Sequence, residues 1–298
     1  MDSPLRTVTI RGLISDPGPV ITAVIGIGPH HGSMSAIVHP SFVVTGGAQG
    51  IGRIIAERLS AEGHVVVLDL AERLADVGSA TGGPRPGRPI AARRGGVTLV
   101  SGDAADPAVA RRAAETAEAA GPLAGWVNNA AIFRDAGLER ATATEVLDLV
   151  TANLALAVTG CHTAVNHLLR HRRPGAIVNV SSHQAQRPVR GALPYATAKA
   201  AVEGLTRAIA VDHGPDRIRA NAVALGSIVT ARFEEYRAAH PEVDTQMAAL
   251  HPLGRPGTAE EVADAVAFLL SPAAAFVNGA ILPVDGGRSA NGPDPEAR

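Results

Sequence analysis

Two side chains able to handle a proton, Tyr195 and Lys199, stand four residues apart in the stretch PYATAKAAVEG at 194–204. Lys199 is the only lysine in a chain that uses arginine 26 times, and Tyr195 is one of two tyrosines. Residues at i and i+4 share one face of a helix, so the ammonium would lie beside the phenol. A surface pair could have used arginine, as the rest of the chain does. The choice of lysine therefore suggests a chemical role.

Two more polar residues fit such a role. Ser182 ends the β-branched segment GAIVNVSS, thirteen residues before Tyr195, and the carboxyl ends of parallel strands are where such sheets bind ligands. Asn153 lies among alanine and leucine inside a predicted helix, where asparagine is less favourable than alanine. We therefore treat Asn153, Ser182, Tyr195 and Lys199 as a candidate catalytic set.

A glycine-rich segment, TGGAQGIG at 45–52, follows a strand-like run and opens the helix-like IGRIIAERLSAEG. Glycines here permit a tight turn and let a pyrophosphate approach the N–H groups of a helix N-terminus. The glycines in question are Gly46, Gly50 and Gly52. Another glycine run, GIGPHHG at 26–32, is followed by no clear helix and is not expected to bind phosphate.

Asp69 stands seventeen residues after Gly52, at the end of the second predicted strand. A carboxylate there can accept hydrogen bonds from both hydroxyls of an adenosine ribose, and it repels a 2′-phosphate. Neither Gln49 nor Leu70 supplies the positive charge that such a phosphate needs. Together with the glycine segment, Asp69 predicts a dinucleotide site that prefers NAD to NADP.

A nicotinamide cofactor explains the tyrosine and the lysine. Hydride transfer to or from an alcohol carbon requires a proton transfer at the oxygen. A free phenol has a pKa of about 10, and lowering it to near 7 takes about 4 kcal/mol. A nearby ammonium and the cationic oxidised nicotinamide can supply that energy. The guanidinium of arginine is wider than an ammonium and would not occupy the same place as Lys199.

The elements that must position these residues alternate along the chain. Seven strand-like segments are FVVTGG, HVVVLDL, VTLVSGD, AGWVNNAA, GAIVNVSS, IRANAVALG and GAILPVDGG. Helices are predicted over 51–62, 106–120, 143–171, 194–213 and 258–271, and a break in the long third helix is expected near Gly160. This alternation predicts an α/β fold, a single Rossmann-type doubly wound domain with a seven-stranded parallel sheet flanked by helices on both faces.

Some segments do not follow the alternation. The catalytic domain is expected over 41–288, with an N-terminal extension at 1–40 and a C-terminal tail at 289–298. The extension is expected to be dispensable up to residue 33, with Met34 as an alternative start. The Gly/Pro/Arg-rich stretch 78–96 is predicted to be a solvated loop, and 227–257 shows no sheet pattern.

Composition limits the function. The formal net charge is −1, which gives no basic surface for nucleic acid or an anionic membrane. No apolar run is expected to reach the length of a membrane span. The single cysteine, Cys161, excludes an internal disulfide and fits a buried thiol in a cytoplasmic protein. Three histidines at 162, 167 and 171 lack a neighbouring carboxylate in sequence, so no metal site is expected.

The chain resembles the short-chain dehydrogenase/reductase family, in its single-domain branch of about 250 residues. The resemblance covers 41–288 and rests on motifs in the family's order and spacing. These are TGGAQGIG, Asp69, GDAAD, NNAA, Asn153, SS, YATAK, ALGSIVT and VDGG. The chain departs from the family at Ala131, where NNAG is usual, and at Leu225–Gly226, where Pro-Gly is usual. Both departures lie beside the cofactor and affect no reacting group.

The resemblance implies roles for the catalytic set. Tyr195 is expected to be the general acid/base, and Lys199 to lower its pKa and hold the nicotinamide ribose. Ser182 is expected to hydrogen-bond the substrate oxygen, and Asn153 to hold a water in a proton relay from Lys199.

The resemblance also implies contacts with the cofactor. Asp103 and Ala104 are expected at the adenine, Asn129 on the ribose side, and Ile228 and Thr230 at the carboxamide. The complete expected set is Gly46, Gln49, Gly50, Ile51, Gly52, Asp69, Asp103, Ala104, Asn129, Ala130, Tyr195, Lys199, Ile228 and Thr230.

The sequence thus predicts an NAD-dependent oxidoreductase that interconverts a secondary alcohol and a carbonyl. Its small-molecule substrate is expected to be a small polar alcohol, sugar, polyol or hydroxy acid, because polar residues follow Ser182 and precede Tyr195. Alternatives are a 3-oxoacyl-thioester reductase, a catalytically silent NAD sensor or scaffold, and an epimerase or dehydratase of a related branch. The apolar helices 143–171 and 194–213 predict a homotetramer or homodimer.

Overall fold

The computed structural model describes residues 39–78, 90 and 96–292. Most of the expected N-terminal extension and of the 78–96 loop lies outside the described residues, as does the tail beyond 292. The strands are β1 (Ser41–Thr45), β2 (His64–Asp69), β3 (Val97–Ser101), β4 (Leu123–Asn128), β5 (Gly175–Ser182), β6 (Ile218–Leu225) and β7 (Ile281–Val284). The helices are α1 (Gly50–Leu59), α2 (Ala71–Gly78), α3 (Pro107–Ala120), α4 (Ala143–Arg170), α5 (Leu193–His213), α6 (Ala231–Ala239), α7 (Val243–Leu250) and α8 (Ala259–Leu270).

The seven strands form one parallel sheet in the order β3-β2-β1-β4-β5-β6-β7, which confirms the predicted fold class. β1 and β4 are neighbours although β2 and β3 lie between them in sequence. The chain therefore reverses its winding direction at this pair, and open α/β sheets bind ligands at the carboxyl ends of strands at such a point.

Helices cover both faces of the sheet. One apolar core lies between the sheet and α3, α4 and α5, and includes Val66, Trp126 and Ile177. The other lies between the sheet and α1 and α8, and includes Val44 and Val178. Strands buried on both faces explain the nearly continuous β-branched runs in the sequence.

The helix starts follow local capping chemistry. The Asp106 carboxylate accepts a hydrogen bond from the Ala108 N–H at the start of α3, and Pro107 occupies the first helical position. Thr142 forms a capping box with Glu145 at the start of α4, and Thr258 forms one with Glu261 at the start of α8.

α4 is continuous through Gly160, so the expected break there is wrong. A Cβ at Gly160 would collide with the side chains of Asn128 and Trp126, and the glycine is explained by this close approach to β4. α4 is also long and apolar enough, by length and composition, to cross a membrane, contrary to the sequence expectation. Of its most apolar 18-residue window, 39% is buried, and it carries buried polar residues such as Asn153 and Thr163.

Three short helices were not predicted. α2 follows β2, while α6 and α7 fill the segment 227–257. α6 buries no residue and α7 buries only Val243, so neither shows the apolar periodicity on which a sequence prediction depends. Ile90 is buried in the core near α1, so this residue of the expected solvated loop is not solvated.

Candidate active site

The glycine segment forms a turn between β1 and α1. Gly46 and Gly50 have φ values of 64° and 55°, in the left-handed region that favours glycine. A Cβ at Gly52 would collide with the Gly46 carbonyl and the Asn129 side chain, whereas a Cβ at Gly50 would meet no heavy atom within 4 Å. The turn is therefore closely packed on the protein side and open at Gly50.

The N-terminus of α1 is well suited to an anion. Its N-cap residue, Gln49, makes no side-chain capping hydrogen bond, so the first-turn N–H groups keep their capacity to donate. Beside it lies a cavity of about 480 Å³, lined among others by Gly50, Ile54 and Thr230. The turn, the helix end and the cavity together fit the pyrophosphate of a dinucleotide.

Asp69 lies against this turn. Its Oδ2 accepts a hydrogen bond from the Ala48 N–H at 2.9 Å, and its Oδ1 accepts one from the Leu70 N–H at 2.9 Å. Neither Gln49 nor Leu70 brings a positive charge to this place, but Arg73 of α2 donates to the Gln49 side chain at 3.4 Å. Because α2 was not predicted, the placement of this arginine at the turn could not be predicted either.

Other expected cofactor residues surround the turn. Asn129 donates to the carbonyls of Thr45 and Gly46 at 3.1 and 3.0 Å, and the Ala130 N–H donates to the Thr45 hydroxyl at 3.2 Å. These bonds tie the end of β4 to the end of β1. Ile51 is half-buried and packs against the core near α1.

Further along the same edge lie the residues expected at the adenine and the carboxamide. The Asp103 carboxylate accepts a hydrogen bond from the Ala105 N–H at 2.8 Å, and Ala104 is buried. Ile228 forms a single bridge to Gly257, and the Thr230 hydroxyl caps α6. All lie at the carboxyl edge of the sheet.

Tyr195 and Ser182 meet at this edge. Their side chains are hydrogen-bonded to each other, and the Ser182 hydroxyl also accepts from the Gln184 N–H at 3.2 Å. Ser182 is brought there by the end of β5, and Tyr195 by the first turn of α5. The structure thus joins the predicted acid/base to the predicted substrate-binding hydroxyl.

Lys199 lies one turn further along α5 and is only 6% exposed. Its ammonium nitrogen, Nζ, donates to the Val180 carbonyl at 2.6 Å and lies 5.5 Å from the centroid of the Tyr195 ring. No carboxylate of the described residues forms a salt bridge with it. Burial consequently lowers the pKa of Lys199 to about 8.

The pKa of Tyr195 differs from the expectation. Burial raises it to about 12, and the hydrogen bond with Ser182 acts in the opposite direction but is weaker. The Lys199 ammonium, 5.5 Å from the ring centroid and bonded to the Val180 carbonyl, does not overcome the effect of burial. The protein alone therefore keeps the phenol protonated, and a lower pKa requires a further positive charge at the site.

Asn153 contacts backbone rather than a catalytic side chain. Its Nδ2 donates to the Ile132 carbonyl at 3.0 Å and to the Leu149 carbonyl at 3.2 Å, and its Oδ1 accepts from the Ile132 N–H at 2.9 Å. The side chain thereby fixes the segment after β4 against α4. This contact explains an asparagine buried in a helix.

The histidines of α4 do have a carboxylate beside them. Glu118 of α3 lies within 4.8 Å of ligand atoms of His167 and His171, so the expectation of no nearby carboxylate is wrong. Its Oε2 already accepts hydrogen bonds from His167, at 3.0 Å, and from Arg173. The guanidinium supplies the positive charge that a metal ion would otherwise bring. This cluster lies beside the starts of β4 and β5, away from Tyr195.

The site thus combines an anion-binding helix end with a phenol, a hydroxyl and a buried ammonium. Comparison with known proteins identifies the family to which a chain with this site belongs. Residues 46–289 match the family described as enoyl-(acyl carrier protein) reductase. A 3-oxoacyl-[acyl-carrier-protein] reductase of Pseudomonas aeruginosa is 37% identical over 250 residues, 82% of this chain and 95% of that protein. The chain belongs to the short-chain dehydrogenase/reductase family.

The chain is also similar to family members that act on other substrates. Meso-2,3-butanediol dehydrogenase of Serratia marcescens is 33% identical over 256 residues, 85% of this chain and 96% of that protein. The crystal structure of a 3-oxoacyl (acyl-carrier-protein) reductase of Agrobacterium tumefaciens with NADP bound is 29% identical. Its TM-score is 0.71, and the match covers 83% of this chain and 93% of that one. The chain is an oxidoreductase of CH–OH groups that uses a nicotinamide cofactor.

Proposed function

We propose that the protein interconverts a secondary alcohol and a carbonyl with NAD(H), and that Tyr195 is the general acid/base. The observation that carries this proposal is the placement of the Tyr195 phenol beside the Ser182 hydroxyl and the buried Lys199, whose Nζ is 5.5 Å from the Tyr195 ring centroid. This group lies at the same sheet edge as the open glycine turn. A catalytically silent sensor would not need a buried lysine without a carboxylate partner.

The proposed chemistry follows from the contacts. The cofactor, when bound, accepts or supplies the hydride and brings positive charge in its oxidised form. Ser182 orients the substrate oxygen by a hydrogen bond, and Tyr195 exchanges a proton with that oxygen. The positive charge of Lys199 stabilises the phenolate that remains when Tyr195 has given up its proton. Asn153 keeps the segment after β4 in place.

Replacing Tyr195 with Phe tests the mechanism. The change removes the proton donor and leaves the ring, so turnover should fall roughly 10²–10⁴-fold. Affinity for NADH, measured by its fluorescence, should stay close to that of the wild type. Turnover retained in this variant would contradict the proposal. A wild type that binds NADH but converts no alcohol or ketone would favour a sensor.

The preference for NAD is proposed on the position of Asp69. Its carboxylate lies against the Ala48 N–H of the glycine turn, where it would repel a 2′-phosphate. Arg73 lies nearby but is exposed, and it contacts Gln49 rather than Asp69. Asp69→Ala should weaken NAD binding and reduce the difference in affinity between NAD and NADP. Arg73→Gln should weaken the binding of NADP alone. A wild type that prefers NADP would contradict this interpretation.

A small polar substrate is proposed on the groups that follow Ser182. His183 and Gln184 each hold a buried polar atom, Nε2 and Oε1, without a hydrogen-bond partner in the described part of the chain. His183 Nδ1 contacts the Leu225 carbonyl at 3.1 Å, which leaves Nε2 as an acceptor. Unpaired buried acceptors favour a ligand with hydroxyl donors.

Not every polar side chain expected in the pocket is free. Gln186 donates to Glu203 at 3.0 Å, and Arg187 donates to the Asn291 carbonyl at 3.3 Å. Turnover of polyols, hydroxy acids and acetoacetyl thioesters, measured by NADH absorbance, would distinguish a small polar substrate from a 3-oxoacyl thioester. Activity on the thioester alone would favour the alternative, a 3-oxoacyl-thioester reductase.

We also propose a cytoplasmic homotetramer or homodimer. Large apolar side chains are exposed on three helices and one loop: Leu147, Val158 and Leu169 on α4, Val211 on α5, Phe268 on α8, and Phe276. Apolar residues concentrated on helix faces fit contacts between copies of the chain. Light scattering at micromolar concentration should show an oligomer, and a monomer would contradict the proposal.

A further inference from the structure

An exposed aromatic side chain lies against the catalytic phenol. Phe133 belongs to the segment after β4, and 60% of it is exposed. Its ring centroid is 4.9 Å from that of Tyr195, with an angle of 30° between the ring planes. A substrate whose oxygen reaches Tyr195 therefore extends past Phe133.

A guanidinium lies on this phenylalanine. The Arg232 guanidinium carbon is 5.4 Å from the Phe133 ring centroid. Arg232 is in the first turn of α6, two residues after Thr230, which caps the helix. Phe133 thus connects the phenol to a positive charge on another element, and the two stacking distances limit how far apart they can be. The distance between the Tyr195 phenol and the Arg232 guanidinium suits a short substrate.

The charge of Arg232 is uncompensated. No salt bridge or hydrogen bond from its side chain is present among residues 39–78, 90 and 96–292. Arg237, on the same helix, pairs with both Glu234 and Asp244. Arg255, at the other end of the segment, pairs with Glu261. Of these three arginines, Arg232 is the one without a carboxylate partner among the described residues.

We propose that Arg232 binds the carboxylate of the substrate, so that the protein acts on a short hydroxy acid and its keto acid. A guanidinium matches the geometry of a carboxylate and can bond it through two N–H groups. The stacking distances suit a carboxylate roughly two to four carbons from the alcohol carbon. The inference rests on the proposed function, since it assumes that the substrate oxygen lies at Tyr195.

The test compares an acid with its neutral ester. Steady-state rates are measured on 3-hydroxybutyrate and methyl 3-hydroxybutyrate for the wild type, Arg232→Gln, Arg232→Lys and Arg237→Gln. The wild type should prefer the acid, mainly through a lower KM. Arg232→Gln should raise the KM for the acid roughly 10- to 100-fold and abolish the preference, because a charge-assisted hydrogen bond is lost. Arg232→Lys should restore part of it, and Arg237→Gln should retain it.

Two results would overturn the inference: a wild type that prefers the ester, or an Arg232→Gln variant that loses acid and ester activity in equal proportion. A binding measurement separates this inference from the proposed function. Calorimetric titration of the enzyme saturated with NAD⁺ by acetoacetate, a pair that cannot exchange a hydride, should show binding that Arg232→Gln weakens and Tyr195→Phe retains. Turnover of neutral alcohols without acetoacetate binding would refute the anion site alone. Acetoacetate binding through Arg232 without any turnover would refute the oxidoreductase activity alone.

Discussion

Two clusters of ionisable side chains lie at opposite edges of the sheet. At the amino edge, Glu118 accepts hydrogen bonds from Arg173, from His167 and from the Leu123 N–H. At the carboxyl edge, Lys199 forms no salt bridge with a carboxylate of the described residues and donates to a backbone carbonyl instead. One cluster joins opposite charges, and the other buries a single positive charge next to a phenol.

The pKa shifts follow this difference. Burial raises the pKa of Glu118, but the hydrogen bonds from Arg173 and His167 outweigh it and hold the value at about 2. Burial lowers the pKa of His167, so the cation of this cluster is Arg173 and the imidazole donates in its neutral form. At Lys199 burial acts without opposition. The half-buried charge of Glu118, held by charge-assisted hydrogen bonds, contributes to stability, whereas a buried charge without a partner lowers stability and is retained for function.

The largest expected effect separates activity from stability at Lys199. Lys199→Met keeps the length of the side chain and removes the charge that stabilises the phenolate. Turnover should fall roughly 10²–10⁴-fold. Thermal unfolding should show a Tm equal to or above that of the wild type, because a buried unpaired charge is gone. A large loss of Tm would mean that Lys199 serves the fold, and the contrast between the clusters would fail.

The opposite result is expected at Glu118. Glu118→Gln leaves Arg173 without its acid and should lower the free energy of unfolding by about 2 kcal/mol, discounted because Glu118 is partly exposed. Turnover per folded molecule should not change. Glu115→Gln, on the exposed side of α3, is the control and should have little effect on urea denaturation.

Acid titration adds a second measurement at Glu118. Its pKa is lower in the folded state, so its stabilisation is complete above the ordinary value of 4.5 and is lost as the pH falls towards about 2. The variant should lose less stability than the wild type over that range. Equal losses would show that Arg173 does not depend on this carboxylate.

The sequence predicted the sheet because short apolar strand segments alternate with helices, and α1, α3, α4, α5 and α8 have regular apolar faces. It also predicted the tight turn that includes Gly52 and the proximity of Ser182 to Tyr195. Both features depend on strand ends and local turns. These features depend on neighbours close in sequence or on the strand order that the fold class requires.

The remaining features depend on contacts between distant residues. Glu118 and His167 are 49 residues apart, and no local pattern links them. The same holds for Phe133 and Arg232, which meet only through the placement of α6. The raised pKa of Tyr195 was missed because it depends on how deeply the ring is buried and on where the Lys199 ammonium is bonded.

The smallest expected effect is a gain of stability at mildly alkaline pH. The pKa of Lys199 is about 8 in the folded protein and about 10.5 when unfolded, so between these values the unfolded chain binds more protons. The free energy of unfolding therefore rises with pH in that window. Two groups oppose the rise: burial raises the pKa of Cys161 from 9.0 to about 12 and that of Tyr195 from 10.0 to about 12. The gain is thus confined to about pH 8 to 9.

Over that single pH unit one group can change the free energy of unfolding by at most about 1.4 kcal/mol, and we expect a net rise of about 0.6 kcal/mol after the opposing groups are included. Because Lys199 is the only lysine of the chain, no other lysine obscures the measurement. Urea denaturation at intervals from pH 8 to 9 should show the rise in the wild type and in Glu118→Gln. Lys199→Met should show none. If the rise persists in Lys199→Met, another group causes it. The pH dependence would then no longer distinguish the Lys199 cluster from the Glu118 cluster.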